Sequence, residues 1–388
     1  MANLQDLEKK IRHIFFEGGR DIPLTQIQKE AMLREGLLGL LETQHLSRNK
    51  GLWAFFDPIQ QEKDVNSVNN LGSLITNKIV GLEEYITGSG EISYDSQIGS
   101  IGGGNHFVEI QKVSKILDAQ IARNWGLEVD KVIIMIHSGS VSVGQYCGFN
   151  FRQILKNVYP LTLKHPKNKI YLLPESKKFM TEWKEFWDCL FNASNFAFAN
   201  RLFLGLMMYK SLYETIGELE YELLYDASHN LVWKEEIEGE ICYLHRKGAC
   251  PARGFERMSG TPFEYYGEPV MIPGSMGAPS FILAGLGNRQ SLFSASHGAG
   301  RGLSRGDALK QDEQKFKDFI TRFKVVTPID PNRNDIKSRP DILKKWEDEL
   351  KSEAPYAYKD ISPIIQTHID HGMAKPVAMM EPILTVKG

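Results

Sequence analysis

Apolar residues recur at helical spacing at the front of the chain, where Leu4, Leu7 and Ile11 share one face. Thr25 and Gln28 have the spacing of a capping box just ahead of Met32, Leu33, Leu37 and Leu40, so a second helix is expected to begin there. A long helical region is expected over about 177 to 216, with Trp183, Phe186, Trp187 and Leu190 at helical spacing. Aromatic density of this kind also occurs on base-stacking surfaces, but a stripe at helical spacing is more often core, and it is assigned to packing. Between the helices, the β-branched run at 132 to 136 ends in His137-Ser138-Gly139-Ser140, which predicts a buried strand delivering a histidine at its end. The run from 221 to 225, followed by Asp226-Ala227-Ser228-His229-Asn230, predicts the same arrangement. Further strands are expected near Ile241 and Val270, alternating with Gly and Pro turns. The mixture predicts an α+β fold of mixed sheets surrounded by helices, or an irregular α/β arrangement, rather than a regular doubly wound sheet.

Two further histidines are set among small residues for which packing supplies no reason. His106 lies in Gly102-Gly103-Gly104-Asn105-His106-Phe107-Val108-Glu109, and His297 in Ser296-His297-Gly298-Ala299-Gly300-Arg301. Glycine lacks a Cβ and lets the backbone approach a ligand closely, so consecutive N–H groups can form a concavity for phosphate oxygens beside a nucleophile. One such segment alone is better explained as a glycine-rich turn holding a core histidine bonded to backbone carbonyls. His137 and His229 at predicted strand ends shift the balance, because imidazole is the commonest protein metal ligand and strand ends hold ligands rigidly. A metal centre in a cleft at strand ends is therefore expected; a strand-end histidine bonded to its neighbours is the alternative for either taken singly.

With 388 residues, 42% hydrophobic and 24% charged, the chain can bury a large core, and length alone allows two or three domains. It has no Ser/Pro/Gly linker and no internal repeat. The candidate residues are scattered from Asn105 to Lys387 and can share a site only if most of the chain folds around it. One catalytic domain over 71 to 388 is expected, with a helical region at 1 to 70 packed on it. The net charge of -2 argues against indiscriminate binding to nucleic acid, although a local basic groove would not show in the sum. Cys147, Cys189, Cys242 and Cys250 make no CxxC pair, which suggests neither a disulfide framework nor a zinc knuckle and points to a reducing cytosol. The polar N-terminus lacks the apolar core of a signal peptide, and no stretch has the apolar length to cross a bilayer. A soluble cytoplasmic protein with no membrane partner is expected. The phosphate loop G-x-x-x-x-G-K-[ST], a strand-linked G-x-G-x-x-G and H-E-x-x-H are absent, so any nucleotide must be held another way.

The motifs GGGNHFVE, HSGS, SHN, HRKGA, IPGSMG, SHGAGR and a terminal VKG occur in the order and approximate spacing of the RtcB-type RNA ligases, which the chain resembles from about 71 to 388. The resemblance implies a guanylate joined covalently to His297, formed when the imidazole attacks the α-phosphate of GTP and pyrophosphate leaves. It implies that the guanylate passes to an RNA 3'-phosphate, derived from a 2',3'-cyclic phosphate, and that a 5'-hydroxyl then displaces GMP. His106, His137 and His229 match the histidines that hold a pair of Mn2+ ions, able to stabilise attacking and leaving oxygens together; the ligation does not by itself exclude Zn2+ or Co2+. Asn105, Phe107, Glu109, Asn230, Pro273, Gly274, Ser275, Met276, Ser280, Gly298, Ala299, Gly300, Tyr358 and Lys387 match positions around the guanylate. Glu109 is the candidate acceptor from guanine N–H groups, and Lys387 a contact to base or phosphate. Without the resemblance, Ser275 and Ser280 read as turn caps near Pro273, Tyr358 as a half-buried core residue and Lys387 as a solvated tail. Lys247 and Arg301 suit phosphate charge, or are surface cations. His368 and His371 match no ligand position and read as a partly exposed helix face.

Two departures qualify the resemblance. Family members carry an Asp-x-Gly-Cys-Gly segment whose aspartate and cysteine complete both metal shells, and this sequence contains none. Three histidines alone would leave two dications poorly neutralised. Three readings follow: a ligase whose N-terminal segment with the Asp and Cys ligands is supplied separately, a diverged member that binds nucleotide or RNA ends without ligating, and a noncatalytic scaffold. Val141 stands where the family usually has arginine after HSGS, which should weaken a phosphate or RNA contact.

Overall fold

The structure, a computed structural model, describes residues 2–87, 98–173, 175–311 and 313–388. They form two compact units, one made of Met1–Arg12, Gly103–His137 and Glu220–Gly388, the other of His13–Gly102 and Ser138–Leu219. The fold is α+β. Among the described residues no helix is long and apolar enough to cross a membrane.

The strands all lie in the first unit: β1 Phe107–Ile116, β2 Val132–His137, β3 Asn230–Ile237, β4 Glu240–Lys247, β5 Ala249–Pro251, β6 Pro269–Ile272, β7 Ser280–Gly285, β8 Ser294–Ser296, β9 Lys324–Val326 and β10 Ala374–Val386. A six-stranded sheet runs in the order β2-β1-β10-β7-β6, with β9 pairing parallel to β10 and every other pair antiparallel. β3 with β4 and β5 with β8 form two separate ribbons. The first five residues of β1 are all buried, as expected of a strand covered on both faces. Phe107, Val113, Met135, Ile282, Val377 and Met380 belong to one apolar cluster on this sheet.

Strand register places the functional segments. Phe107 pairs with His137, while Glu109 pairs with Met135 on one side and Thr385 on the other. The end of the chain therefore lies beside the start of β1, bringing Lys387 to Gly104 and His106 from 281 or more positions away. The strands expected near Ile133, Ile241 and Val270 are β2, β4 and β6. The one expected at 221 to 225 does not form, and His229 directly precedes β3 instead of ending a strand. This segment is anchored by side chains rather than by ladder pairing: the Tyr225 ring meets Phe263 edge-on, and its hydroxyl donates to the buried Glu268.

In the second unit, the helix Gln26–Thr43 starts at the expected capping box, with Gln28 N donating to Thr25 Oγ1 at 3.2 Å and Thr25 N to Gln28 Oε1 at 2.9 Å. Met32, Leu33, Leu37 and Leu40 are all buried. The helix kinks at Gly36, whose φ is 60°, and only glycine fits there, since a Cβ would sit 2.1 Å from the carbonyl oxygen of Gly72. The long helix Met180–Ile216 spans 37 residues. Trp183, Phe186 and Trp187 contact one another but are half-buried; the continuously buried stretch lies further on, around three asparagines.

Those asparagines use the amide as a backbone mimic, able to give and accept at once. Asn195 donates to the carbonyls of Leu33 at 3.0 Å and Leu74 at 2.8 Å and accepts from Leu74 N at 2.9 Å. Asn192 does the same with Leu33 and Val80, and Asn200 with the backbones of Gly99, Ser100 and Gly139. Asn195→Ala is expected to destabilise the protein by about 3 kcal/mol, because it strands several backbone groups in a dry interior. Urea unfolding would measure this, and a loss under about 0.5 kcal/mol would contradict it.

Candidate active site

The four histidines expected to share a site do converge. His137 lies at the end of β2, and its ring is 5.4 Å from that of His106, 5.2 Å from His229 and 4.8 Å from His297, centroid to centroid. The rings of His229 and His297 stack at 3.6 Å with 10° between their planes. Gly248 makes that stacking possible. Its N–H donates to the His229 carbonyl at 2.9 Å, and its own carbonyl accepts from His297 N–H at 3.0 Å. It does so at a φ of 65°, in the left-handed region that favours glycine. Phe107 is fully buried and meets His137 edge-on at 5.5 Å, so it buttresses the imidazole.

Burial, reinforced by the neighbouring imidazoles, holds the pKa values of His137 and His297 well below the usual histidine range, so both rings are neutral at pH 7. His297 Nε2 lies 3.1 Å from His137 Nε2, and its ring also donates to the Met271 carbonyl. The donor to Met271 is therefore Nδ1, which leaves Nε2 with a lone pair to accept from His137. That assignment makes His137 Nδ1 an acceptor, and it is buried with no hydrogen-bond partner among the described residues. A buried lone pair of this kind is costly unless something binds it. His137, His229 and His297 each offer a ligand atom within 4.8 Å of the others, and among the described residues no carboxylate or thiol joins them. The geometry thus groups His297, rather than His106, most tightly with His137 and His229. Neutral imidazole nitrogens clustered in this way are suitable donors to a divalent ion.

Beside the histidines opens a cavity of about 560 Å³. Of the expected guanylate contacts, Asn105, Pro273, Gly274, Ser275, Gly298, Ala299, Gly300 and Tyr358 line it, together with His137, His297 and Arg301. Asn105 Oδ1 is another buried acceptor with no partner among the described residues. Arg301 already binds Glu353 at 3.2 Å and the carbonyls of Leu303 and Ser352, and the Tyr358 hydroxyl donates to the same Glu353. Arg305, also in the wall, bonds Glu353 at 3.3 Å with its side chain 67% exposed, which makes it the more available cation. Sequence reasoning missed Arg305, Glu353 and Gly248. Arg305 had a signal in its position four residues after Arg301, whereas Glu353 had none.

The other expected contacts lie outside the cavity wall. Met276 is buried with Phe316 and Leu350; Asn230 and Lys247 are exposed, paired across the β3–β4 ribbon. Ser280 accepts from Gly274 N at 3.0 Å and so props the turn after Pro273. His368 is only 1% exposed, not the partly exposed helix-face residue expected.

Glu109 is sealed in the interior, with Thr385 Oγ1 and Gln111 Nε2 donating to it and Gly277 N approaching at 3.5 Å. Burial pushes its carboxyl up to about 7, although those donors favour the charged form. Lys387 donates to the carbonyls of Gly104 and His106, and burial pushes its amine down to about 8. In the unfolded chain Glu109 loses its proton near 4.5, so its contribution to stability is complete below that pH and falls as pH rises toward 7. Lys387 contributes in the opposite direction, losing stability as pH falls from 10.5 to about 8. The pair is thus least favourable between 7 and 8. Glu109→Gln is expected to flatten the decline between pH 5 and 7, worth about 3 kcal/mol at the limit, in urea unfolding across pH. An unchanged slope would show that Glu109 is ionised throughout.

The family model described as "tRNA-splicing ligase RtcB" matches residues 2–388. The tRNA-splicing ligase RtcB of Pyrococcus furiosus is 32% identical over 307 residues, covering 75% of this chain and 30% of the relative. That of Methanococcus maripaludis is 31% identical, covering 75% and 60%, and that of Nanoarchaeum equitans 30% identical, covering 87% and 68%. The chain thus spans from about a third to two thirds of the length of these relatives. Converging histidines, a glycine-walled cavity and a match along nearly the whole sequence place this chain in the RtcB family.

Proposed function

We propose that this protein joins RNA ends, sealing a 3'-phosphate or 2',3'-cyclic phosphate to a 5'-hydroxyl through a guanylate carried on His297, in tRNA splicing or RNA repair. The observation that carries this reading is the place of His297: an imidazole stacked on His229 at the edge of a cavity walled by Gly298, Ala299 and Gly300, kept neutral by burial, whose Nε2 would attack on giving up its contact with His137. Attack by Nε2 on the α-phosphorus of GTP forms an N–P bond and breaks the P–O bond to pyrophosphate. A cyclic end is first opened by water, which breaks the P–O2' bond and frees the 2'-hydroxyl; an oxygen of the RNA 3'-phosphate then takes the guanylate and breaks the N–P bond. The 5'-hydroxyl attacks the activated 3'-phosphorus, and GMP leaves. Backbone amides of the glycine segments and the Arg305 guanidinium are suited to the phosphate oxygens.

His106, His137 and His229 would hold a divalent ion, Mn2+ by family resemblance, leaving His297 for chemistry. Bound there, the ion would supply positive charge for phosphoryl oxygens. Neutral imidazoles cannot balance a dication, so nucleotide phosphates or ligands from elsewhere in the protein would have to complete its shell. The four thiols are all free, which fits a reducing compartment such as the cytoplasm. The test is incubation of the full-length protein with α-labelled GTP and Mn2+, which should give an acid-labile, alkali-stable adduct that transfers to RNA bearing a 3'-phosphate. Absence of any adduct, even with a supplied segment carrying the Asp-x-Gly-Cys-Gly ligands, would overturn the reading.

A further inference from the structure

His297 belongs to a short ribbon whose register leaves one backbone group unprovided for. β8 pairs antiparallel with β5, Ala249 standing opposite Ser296. His297 N–H donates to Gly248, and inward amides alternate along an antiparallel strand, so Ser296 N–H points away from β5. No further strand pairs with β8 among the described residues. An amide left there would be an unmet donor beside the reactive residue.

His368, on the helix Ser362–Asp370, fills the gap. Its Nε2 accepts from Ser296 N–H at 2.9 Å, and its Nδ1 lies 2.6 Å from the Ile364 carbonyl one helical turn back. These two contacts assign the tautomer: Nδ1 carries the proton and Nε2 the lone pair. The ring is 1% exposed, so solvent does not substitute for it. The Ser296 hydroxyl in turn donates to the Gly298 carbonyl at 3.1 Å, so both residues flanking His297 are held through Ser296.

We propose that His368 is a positioning residue that fixes the backbone of Ser296 and thereby aims His297 at its target. This rests on the reading of His297 as the guanylate acceptor, but its backbone part stands without it. A displacement of about 1 Å at a reacting atom can cost on the order of 10²-fold in rate. Glutamine places its Oε1 near the position of imidazole Nε2, so His368→Gln retains an acceptor for Ser296, whereas His368→Leu fills similar space without one.

The full-length wild type and both variants are compared in two measurements. Hydrogen exchange of a peptide covering Ser296 should be at least about tenfold faster in His368→Leu than in wild type, and near wild type in His368→Gln. Single-turnover guanylylation should fall by on the order of 10²-fold in His368→Leu with little change in the GTP concentration for half-saturation, and recover to within about tenfold in His368→Gln. Equal exchange in all three proteins overturns the proposal. Equal guanylylation rates do so as well, as does a loss shared alike by both variants. If wild type forms no adduct while exchange follows the expected order, the guanylate reading fails and the backbone role of His368 stands.

Discussion

His297→Ala protein, mixed with α-labelled GTP and Mn2+, is expected to carry no label, and ligation should drop by at least about 10³-fold. The substitution removes the only atom to which guanylate would be attached, and no neighbour replaces it in kind. His137 sits at the hub of the ring contacts and donates to His297, while His229 lies flat against the same ring. His137→Ala is therefore expected to behave differently: it should weaken divalent-ion binding and slow adduct formation, yet leave a slowly labelled protein because Nε2 of His297 remains. Intact-mass spectrometry after the reaction separates the two outcomes by a guanylate adduct that is absent in one variant and slow in the other. Label retained on His297→Ala would mean that another nucleophile does the work, and the assignment of His297 would be wrong.

The largest stability effect is expected at Glu268, whose side chain is fully buried. Arg253 grips it through Nε at 2.8 Å, Nη2 at 2.7 Å and its backbone N at 3.1 Å, and the Tyr225 hydroxyl donates to the same carboxylate. Burial alone would push the carboxyl up; the bonds and charge of Arg253, with Tyr225, hold it below its ordinary value. Glu268→Ala strands a largely buried guanidinium and a phenol, and should cost about 3–5 kcal/mol in urea unfolding. Glu268→Gln should cost less, because its amide oxygen remains an acceptor for part of the three Arg253 contacts. The effect should reach the site as well. Glu268 directly precedes β6, which leads to the turn at Pro273, and Tyr225 anchors the segment that leads to His229. A loss below about 1 kcal/mol for Glu268→Ala would show that the pair is solvated rather than sealed.

Parts of this protein were legible because the interactions that make them are local. Thr25 and Gln28 cap a helix through groups three residues apart, so spacing alone located its start. The β-branched run before His137 reads as a strand because the period of a strand is written in its own side chains. The run at 221 to 225 looked the same and is not a strand. Apolar content records burial, and burial of Tyr225 against Phe263 and Glu268 needs no ladder. Gly36 gave no sign of a kink, since the carbonyl that leaves no room for a Cβ there belongs to Gly72, far along the chain. His368 read as helix surface because its partner, the amide of Ser296, is 72 residues away.

The candidate site divides in the same way. That His106, His137, His229 and His297 come together could be read from their glycine-rich and polar settings, because glycine among imidazoles is a local anomaly. Which three stand closest could not be read. Gly248 links His229 to His297, and the pairing of β1 with β10 carries Lys387 to the backbone of Gly104. Sequence alone thus determined the α+β class, the main helices and the inventory of chemical groups, since each depends on side chains close together along the chain. The tertiary structure alone decided that Glu109 is sealed away, that Arg305 faces the cavity and that His368 supports His297. Burial and hydrogen-bond partnership are set by residues brought together from far apart, and no local pattern encodes the distance between them.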